Sequence, residues 1–409
     1  MARFIQLFSY ALLAWLVLPG CAEEFHGRPP LEGELRFPLG LAVDEANEVL
    51  YVVNSNFDLA YESASVLAVD LETHEFLDTS VAVDSFPGDL LIHSRDDGKP
   101  GYGYVAVRGD NSVSWFQINP ASGSVELTCG LDSRNPGHCE GTHVVTKGLI
   151  PSADDELVLE ESSIGSDPFA LAWIPGNEGE KNFLVVGAMN SGRLSLMEIQ
   201  DDGTPVLVGQ TDLLSGLHSI AVEPDSRVLY VTNKSYPVVH RLEVVRNGSG
   251  PSLDIIDALT LPAPFTTSDF ARGIAFAENG NKVLVSYRTP SSVIVLDGSA
   301  ERGTFANSSL KVIPIGGKPG QVRVFPTGPD GQDLAYIPCF NDDVVWVVDP
   351  AELLPVDRIK VGFGPYEMAA ITNDKYKKGF VSNFLQDTVS VIDLDPSSPY
   401  YHQEIAEIH

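Results

Sequence analysis

Asp89, His218, Arg272, Gln321, Tyr366 and Glu367 are far apart in the chain. Each nevertheless follows, by one or two places, a residue that opens an apolar stretch: Pro87, Gly216, Ala271, Pro319 or Pro365. Brought together, these residue types can do acid–base or anion chemistry. Asp89 or Glu367 would serve as a general base or metal ligand, His218 as a proton shuttle and Arg272 as an anion clamp. The same residues could instead only satisfy enclosed water and strand-end amides. The choice depends on the elements that carry them.

Those elements repeat. An apolar strand is followed by a turn and then by a second strand, seen as "VLYVVNSN" from Val49, "YGYVAVRGDN" from Tyr102, "NFLVVGAMNSG" from Asn182 and "VLYVTNKS" from Val228. Three further copies are "KVLVSYRTPSS" from Lys282, "LAYIPCFNDD" from Leu334 and "KGFVSNFLQDT" from Lys378. A third strand alternates in the period-two manner and ends in an Asp or Asn turn, and a weaker fourth closes the unit. Between Val52, Val105, Val185, Val231, Val285, Ile337 and Val381 the gaps are 53, 80, 46, 54, 52 and 44 residues. Units of four antiparallel strands at about 40–50 residues predict propeller blades, hence an all-β, seven-bladed β-propeller over 38–409. The long gap predicts an excursion on blade two over 128–166. Either "GELRF" at 33–37 or "EIAEI" at 404–408 could supply the strand that closes the ring.

In such a ring the first strands line a central channel. Aligned blade entries place Leu39, Gly88, Phe169, His218, Arg272, Gly320 and Tyr366 in one tier, and Gly40, Asp89, Ala170, Ser219, Gly273, Gln321 and Glu367 in the next. Asp89, His218, Arg272, Gln321, Tyr366 and Glu367 are therefore the expected ligand-binding residues at the channel mouth, with no catalytic role assigned. Polar loop residues around them include Asn54, Arg108, Asn111, Asn233, Arg288 and Asp387.

Tyr230-Val231-Thr232-Asn233 and the stretch "KVGFGPYEMAAITNDKYKKGFVSNFLQDTVSVIDLDP" make the chain resemble the YVTN-repeat β-propellers over about residues 38 to 409. Blades two, three and five depart from the signature, with Ala106-Val107, Val186-Gly187 and Ser286-Tyr287 where Thr-Asn would stand. The resemblance implies relatives among seven-bladed lactonases and the propeller subunits of quinoprotein amine dehydrogenases. Fold does not carry function with it, and no catalytic set of those proteins can be matched residue by residue.

"MARFIQLFSYALLAWLVLPGC" has the layout of an export signal over residues 1–20, with an apolar run too short for a confident membrane span. Leu18-Pro19-Gly20-Cys21 resembles the bacterial lipobox, which implies lipidation of Cys21, a polar tether over 21–37 and an exported lipoprotein held by its lipid anchor. Ala22 leans towards the outer membrane or cell surface where a cell has two membranes. A plain secretory signal and an uncleaved anchor are the alternatives. The net charge of −30 opposes docking on nucleic acid or anionic lipid. Cys129 and Cys139 are placed to form a disulfide in an oxidising compartment, leaving Cys339 as a buried small hydrophobe. Read with His138 and His143 they would be a Cys/His metal set, but export favours the disulfide, and no metal is assigned. There is no Cys-x-x-Cys-His, phosphate loop or Gly-x-Ser-x-Gly elbow, and no cofactor is expected. The sequence thus points to an envelope binding or scaffolding module for a protein, glycan or small ligand, with a propeller enzyme as the alternative.

Overall fold

The computed structural model describes residues 28–409 apart from 96–98, 122–123, 131–138, 152–158, 178, 248–249, 263–268 and 299–308. The expected export signal, Cys21 and His138 lie outside the described residues.

Seven antiparallel sheets, each of four strands with a short fifth added to blade two, form a β-propeller. The first strands are Pro38–Asp44, Pro87–His93, Pro168–Ile174, Leu217–Val222, Ala271–Ala277, Arg323–Phe325 and Pro365–Thr372. The second strands, such as Val49–Asn54 and Val228–Asn233, are almost wholly buried. Alternate residues of each sheet point to opposite faces, and both faces are covered by neighbouring blades. The described core accordingly divides into seven apolar clusters, each spanning two adjacent blades. In blade three the register places Val186 opposite Leu171, as Val231 stands opposite Ile220. The second strand there is aligned one residue later than Val185.

The ring closes without strand exchange. Glu404–Ile408 pairs with Thr388–Asp393 as the fourth strand of blade seven, and residues 33–37 form bends. Side chains join blades seven and one. Asp387 accepts the Phe37 amide at 2.7 Å and pairs with Arg36 at 2.7 Å, while Ser382 Oγ donates to the Leu39 carbonyl at 2.9 Å.

The described residues between Thr128 and Pro168 pack on the outer strands of blades two and three. Cys129 and Cys139 are disulfide-bonded, which leaves no thiolate for a metal. Val144–Val145 then pairs with Val113 and Ser114, completing the outer edge that Ser124–Thr128 leaves open. The hairpin Lys147–Pro151 with Leu159–Ser163 leans on blade three, where Gln210 donates to the Ser163 carbonyl at 2.6 Å. The His143 ring is stacked on Trp115 at 4.2 Å, a packing role.

Candidate functional site: the channel mouth

Six of the seven first strands enter through a bulge, Arg323–Phe325 of blade six being the exception. The pairing slips between Pro38 and Leu41, Pro87 and Leu90, Leu217 and Ile220, Ala271 and Ile274, and Pro365 and Met368. The skipped residues are those of the two aligned tiers, so the bulge is the device that turns their side chains off the sheet and into the channel. Crowding there is severe. A Cβ on Gly88 would fall 2.6 Å from the Phe169 carbonyl oxygen, and one on Gly273 would fall 2.3 Å from the Val322 nitrogen. Only glycine lets the strands approach this closely.

The bulge frees backbone groups, and second-strand hydroxyls take them up. Thr232 Oγ1 accepts the Ser219 amide at 3.1 Å and donates to the Arg272 carbonyl of the next blade at 2.9 Å. Ser286 joins the Gly273 amide to the Gly320 carbonyl in the same way, and Ser382 joins the Glu367 amide to the Leu39 carbonyl. The neighbouring Asn233 locks the loops, accepting the Ser235 and Tyr236 amides and donating to the Leu214 and Ser215 carbonyls. The Thr-Asn pair of the recurring strand is thus what holds the mouth tiers in place.

The site residues fall into two groups bridged by Tyr366. On one flank, His218 is buried, its Nδ1 lies 3.2 Å from the Arg272 carbonyl, and its ring packs on Phe169 at 4.7 Å. A carbonyl only accepts, so the proton sits on Nδ1. Burial, reinforced by Arg272, Arg288 and Lys234, holds this imidazole well below its usual range and therefore neutral. The three cations crowd one another. Burial and then Arg272 depress both Lys234 and Arg288. Asp269 pairs with Arg272 and lies 3.8 Å from Arg288, and Asp167 pairs with Arg108. The buried Arg272 Nε and the Lys234 ammonium have no hydrogen-bonding partner among the described residues.

On the other flank, Glu367 is buried and takes two hydrogen bonds from Arg323, from Nε at 2.9 Å and Nη2 at 3.0 Å, plus the Met368 amide at 2.9 Å. Burial raises its carboxyl, and Arg323 pulls it back. Asp89 accepts the Leu171 amide at 3.2 Å; burial pushes its carboxyl up to about 7 against the pull of Arg323, with Glu367 adding to the rise. Tyr366 feels both flanks, its phenol raised by burial and Asp89 and drawn down by Arg272 and Arg288. Gln321 is buried with both amide atoms unpartnered among the described residues. Among those residues no group of three or more His, Cys, Asp or Glu side chains is arranged to hold a metal ion.

A cavity of about 170 Å³ meets these groups through Tyr366, Phe169 and Arg108 and is otherwise lined by Leu39, Phe57, Phe86, Phe340 and Phe384 among others. It lies below the roughly 300–1,000 Å³ of sites for drug-sized ligands, so it suits a small molecule. Arg323 and, apart from Phe169 of the first tier, the Phe collar were not among the residues expected from the sequence. Arg323 stands two places beyond Gln321 inside an apolar strand, and Phe340 and Phe384 each directly follow the second strand of blades six and seven, with Phe57 two places further on in blade one.

The fold is shared widely among solved structures. A periplasmic gluconolactonase from Pseudomonas aeruginosa aligns with a TM-score of 0.56 at 17% identity, covering 85% of this chain and 92% of that one. Hydrazine synthase from Kuenenia stuttgartiensis aligns at 0.58 and 14%, covering 91% and 99%, and a protein from Lactobacillus plantarum at 0.57 and 16%, covering 82% and 88%. At these identities the likeness is one of fold. No family model matches the chain. The class the structure defines is the seven-bladed β-propeller with a mixed polar and aromatic channel mouth.

Proposed function

We propose that this chain is an exported, lipid-anchored β-propeller of the YVTN-repeat type that binds a small organic anion at its channel mouth. The observation that carries the reading is the cluster of Arg272, Arg288 and Lys234 around a neutral His218, incompletely balanced by Asp269 and Asp167, in a chain whose net charge is −30. Such a cluster costs stability through mutual repulsion and desolvation, and an anion relieves both. The Phe collar, which reaches the cluster through Phe169 against His218, takes the apolar body of the ligand, and the cavity's size favours a small acid over a glycan chain. Thermal unfolding with benzoate, gluconate and short dicarboxylates tests this. A ligand at a hundred times its Kd adds about 2.7 kcal/mol, and the shift should vanish in Arg272→Ala and Arg288→Ala. No shift with any acid, or an equal shift in the variants, sinks the reading.

A second reading is hydrolysis of a lactone, in keeping with the name of the Pseudomonas structure. It is favoured by Asp89, whose carboxyl near 7 stands beside Tyr366 and can take a proton from attacking water. Alkali uptake during incubation with gluconolactone, abolished in Asp89→Asn, would support it. Uptake no faster than the spontaneous rate would leave binding alone.

A further inference from the structure

We infer that the edge of the mouth formed by blades seven and one rests on the lipid bilayer, with its apolar loops in the interfacial zone. The inference builds on the lipid-anchored reading but concerns which surface meets the membrane. The chain enters the described structure at Arg28, which bridges to Tyr61 and accepts the Glu62 amide at 2.8 Å. Tyr61 and Glu62 belong to the loop between the second and third strands of blade one, on the mouth face. From Cys21 to Arg28 the chain spans at most about 25 Å however it runs. A lipid on Cys21 therefore holds this edge near the bilayer surface.

That edge also carries apolar side chains with little to cover them. Phe57 and Leu59 of blade one are 56% and 54% exposed, and Phe363 and Leu385 of blade seven are 60% and 56% exposed. They are neighbours: Phe57 meets Phe384 edge-on at 5.4 Å, and the Leu385 amide donates to the Phe363 carbonyl at 3.1 Å. Arg36, placed between Asp58 and Asp387, partly neutralises the acidic groups beside them. The opposite face turns a carboxylate-rich edge outwards beneath the same blades, with Glu45, Glu48 and Glu72 around Lys375. Aromatic and leucine side chains settle at the headgroup level, and a tether makes even weak insertion effective by keeping the local concentration high. With only one edge resting on lipid, the cation-lined side of the mouth stays open to water.

The test uses the full-length lipoprotein reconstituted in zwitterionic vesicles with brominated acyl chains. Leu59→Trp, Leu385→Trp and, on the opposite face, Tyr400→Trp are compared with the parent after subtraction of native emission. All three positions are more than half exposed, so the substitutions disturb little packing. The expected result is roughly two-fold or stronger quenching at positions 59 and 385 and none at 400. Equal quenching at all three, or none at 59 and 385 in membrane-bound protein, overturns the orientation while leaving the anchor standing. Recovery of the processed protein in the soluble cell fraction overturns the anchor, and the inference with it.

Discussion

Replacing Arg323 by Met isolates the electrostatics of the channel floor. The substitution keeps an apolar stem and removes two hydrogen bonds from Glu367, whose side chain is 4% exposed and would retain the Met368 amide. Breaking a buried pair from one side costs about 3–5 kcal/mol, and because 35% of the Arg323 side chain is open to the channel, the lower end, about 3 kcal/mol, applies. With an unfolding entropy near 2.1 cal/mol/K per residue, a fold of this size loses about 4 °C in Tm for that penalty. The loss depends on pH. Without Arg323 the Glu367 carboxyl moves further above its unfolded value, as does that of Asp89. The folded variant then holds protons that the unfolded chain releases, so its stability falls as pH rises through the folded pKa. Thermal unfolding of parent and variant at pH 5 and pH 8 measures this: the gap should be small at pH 5 and full at pH 8. The double variant Arg323→Met/Glu367→Gln should recover most of the loss at pH 8. An equal gap at both pH values, or a double variant no better than the single one, would refute the reasoning.

Two further outcomes follow from the mouth. Asp89 titrates near 7 when folded and near its ordinary 3.8 when unfolded, so it stabilises the protein below about pH 4 and that contribution is lost as pH rises to about 7; Asp89→Asn should flatten the urea midpoint over this window. Thr232→Val keeps shape but strands the Ser219 amide and leaves the Arg272 carbonyl only the His218 imidazole, at a cost of about 1–3 kcal/mol seen as a lower urea midpoint, whereas Thr232→Ser should nearly restore the parent.

Much of this architecture was legible because a propeller repeats its instructions. Pro87-Gly88-Asp89 and Pro365-Tyr366-Glu367 occupy equivalent places, and alignment alone put Asp89 and Glu367 in one tier. What alignment does not carry is which tier members meet. His218 and Arg272 come from the first tier and Asp89 and Glu367 from the second, and within each tier the inter-blade hydroxyl bridges and glycine contacts set which groups touch. Arg323 was hidden by its strand, although Gln321 and Arg323 share a face and two polar residues on one face of "QVRVF" mark it as channel-lining. Ring closure was ambiguous because "GELRF" and "EIAEI" look alike; only the pairing of Val389 with Ile408, and the capture of residues 34 to 37 by Asn54 and Asp387, separates them.

The most direct test of anion binding at the mouth is a crystal structure of the protein soaked in 4-bromobenzoate, with anomalous data collected at the bromine edge. The account predicts bromine within the collar of Phe57, Phe86 and Phe340 and the carboxylate against Arg272 and Arg288, absent from a crystal of Arg272→Ala. Bromine found only elsewhere, or an unchanged peak in the variant, would contradict it.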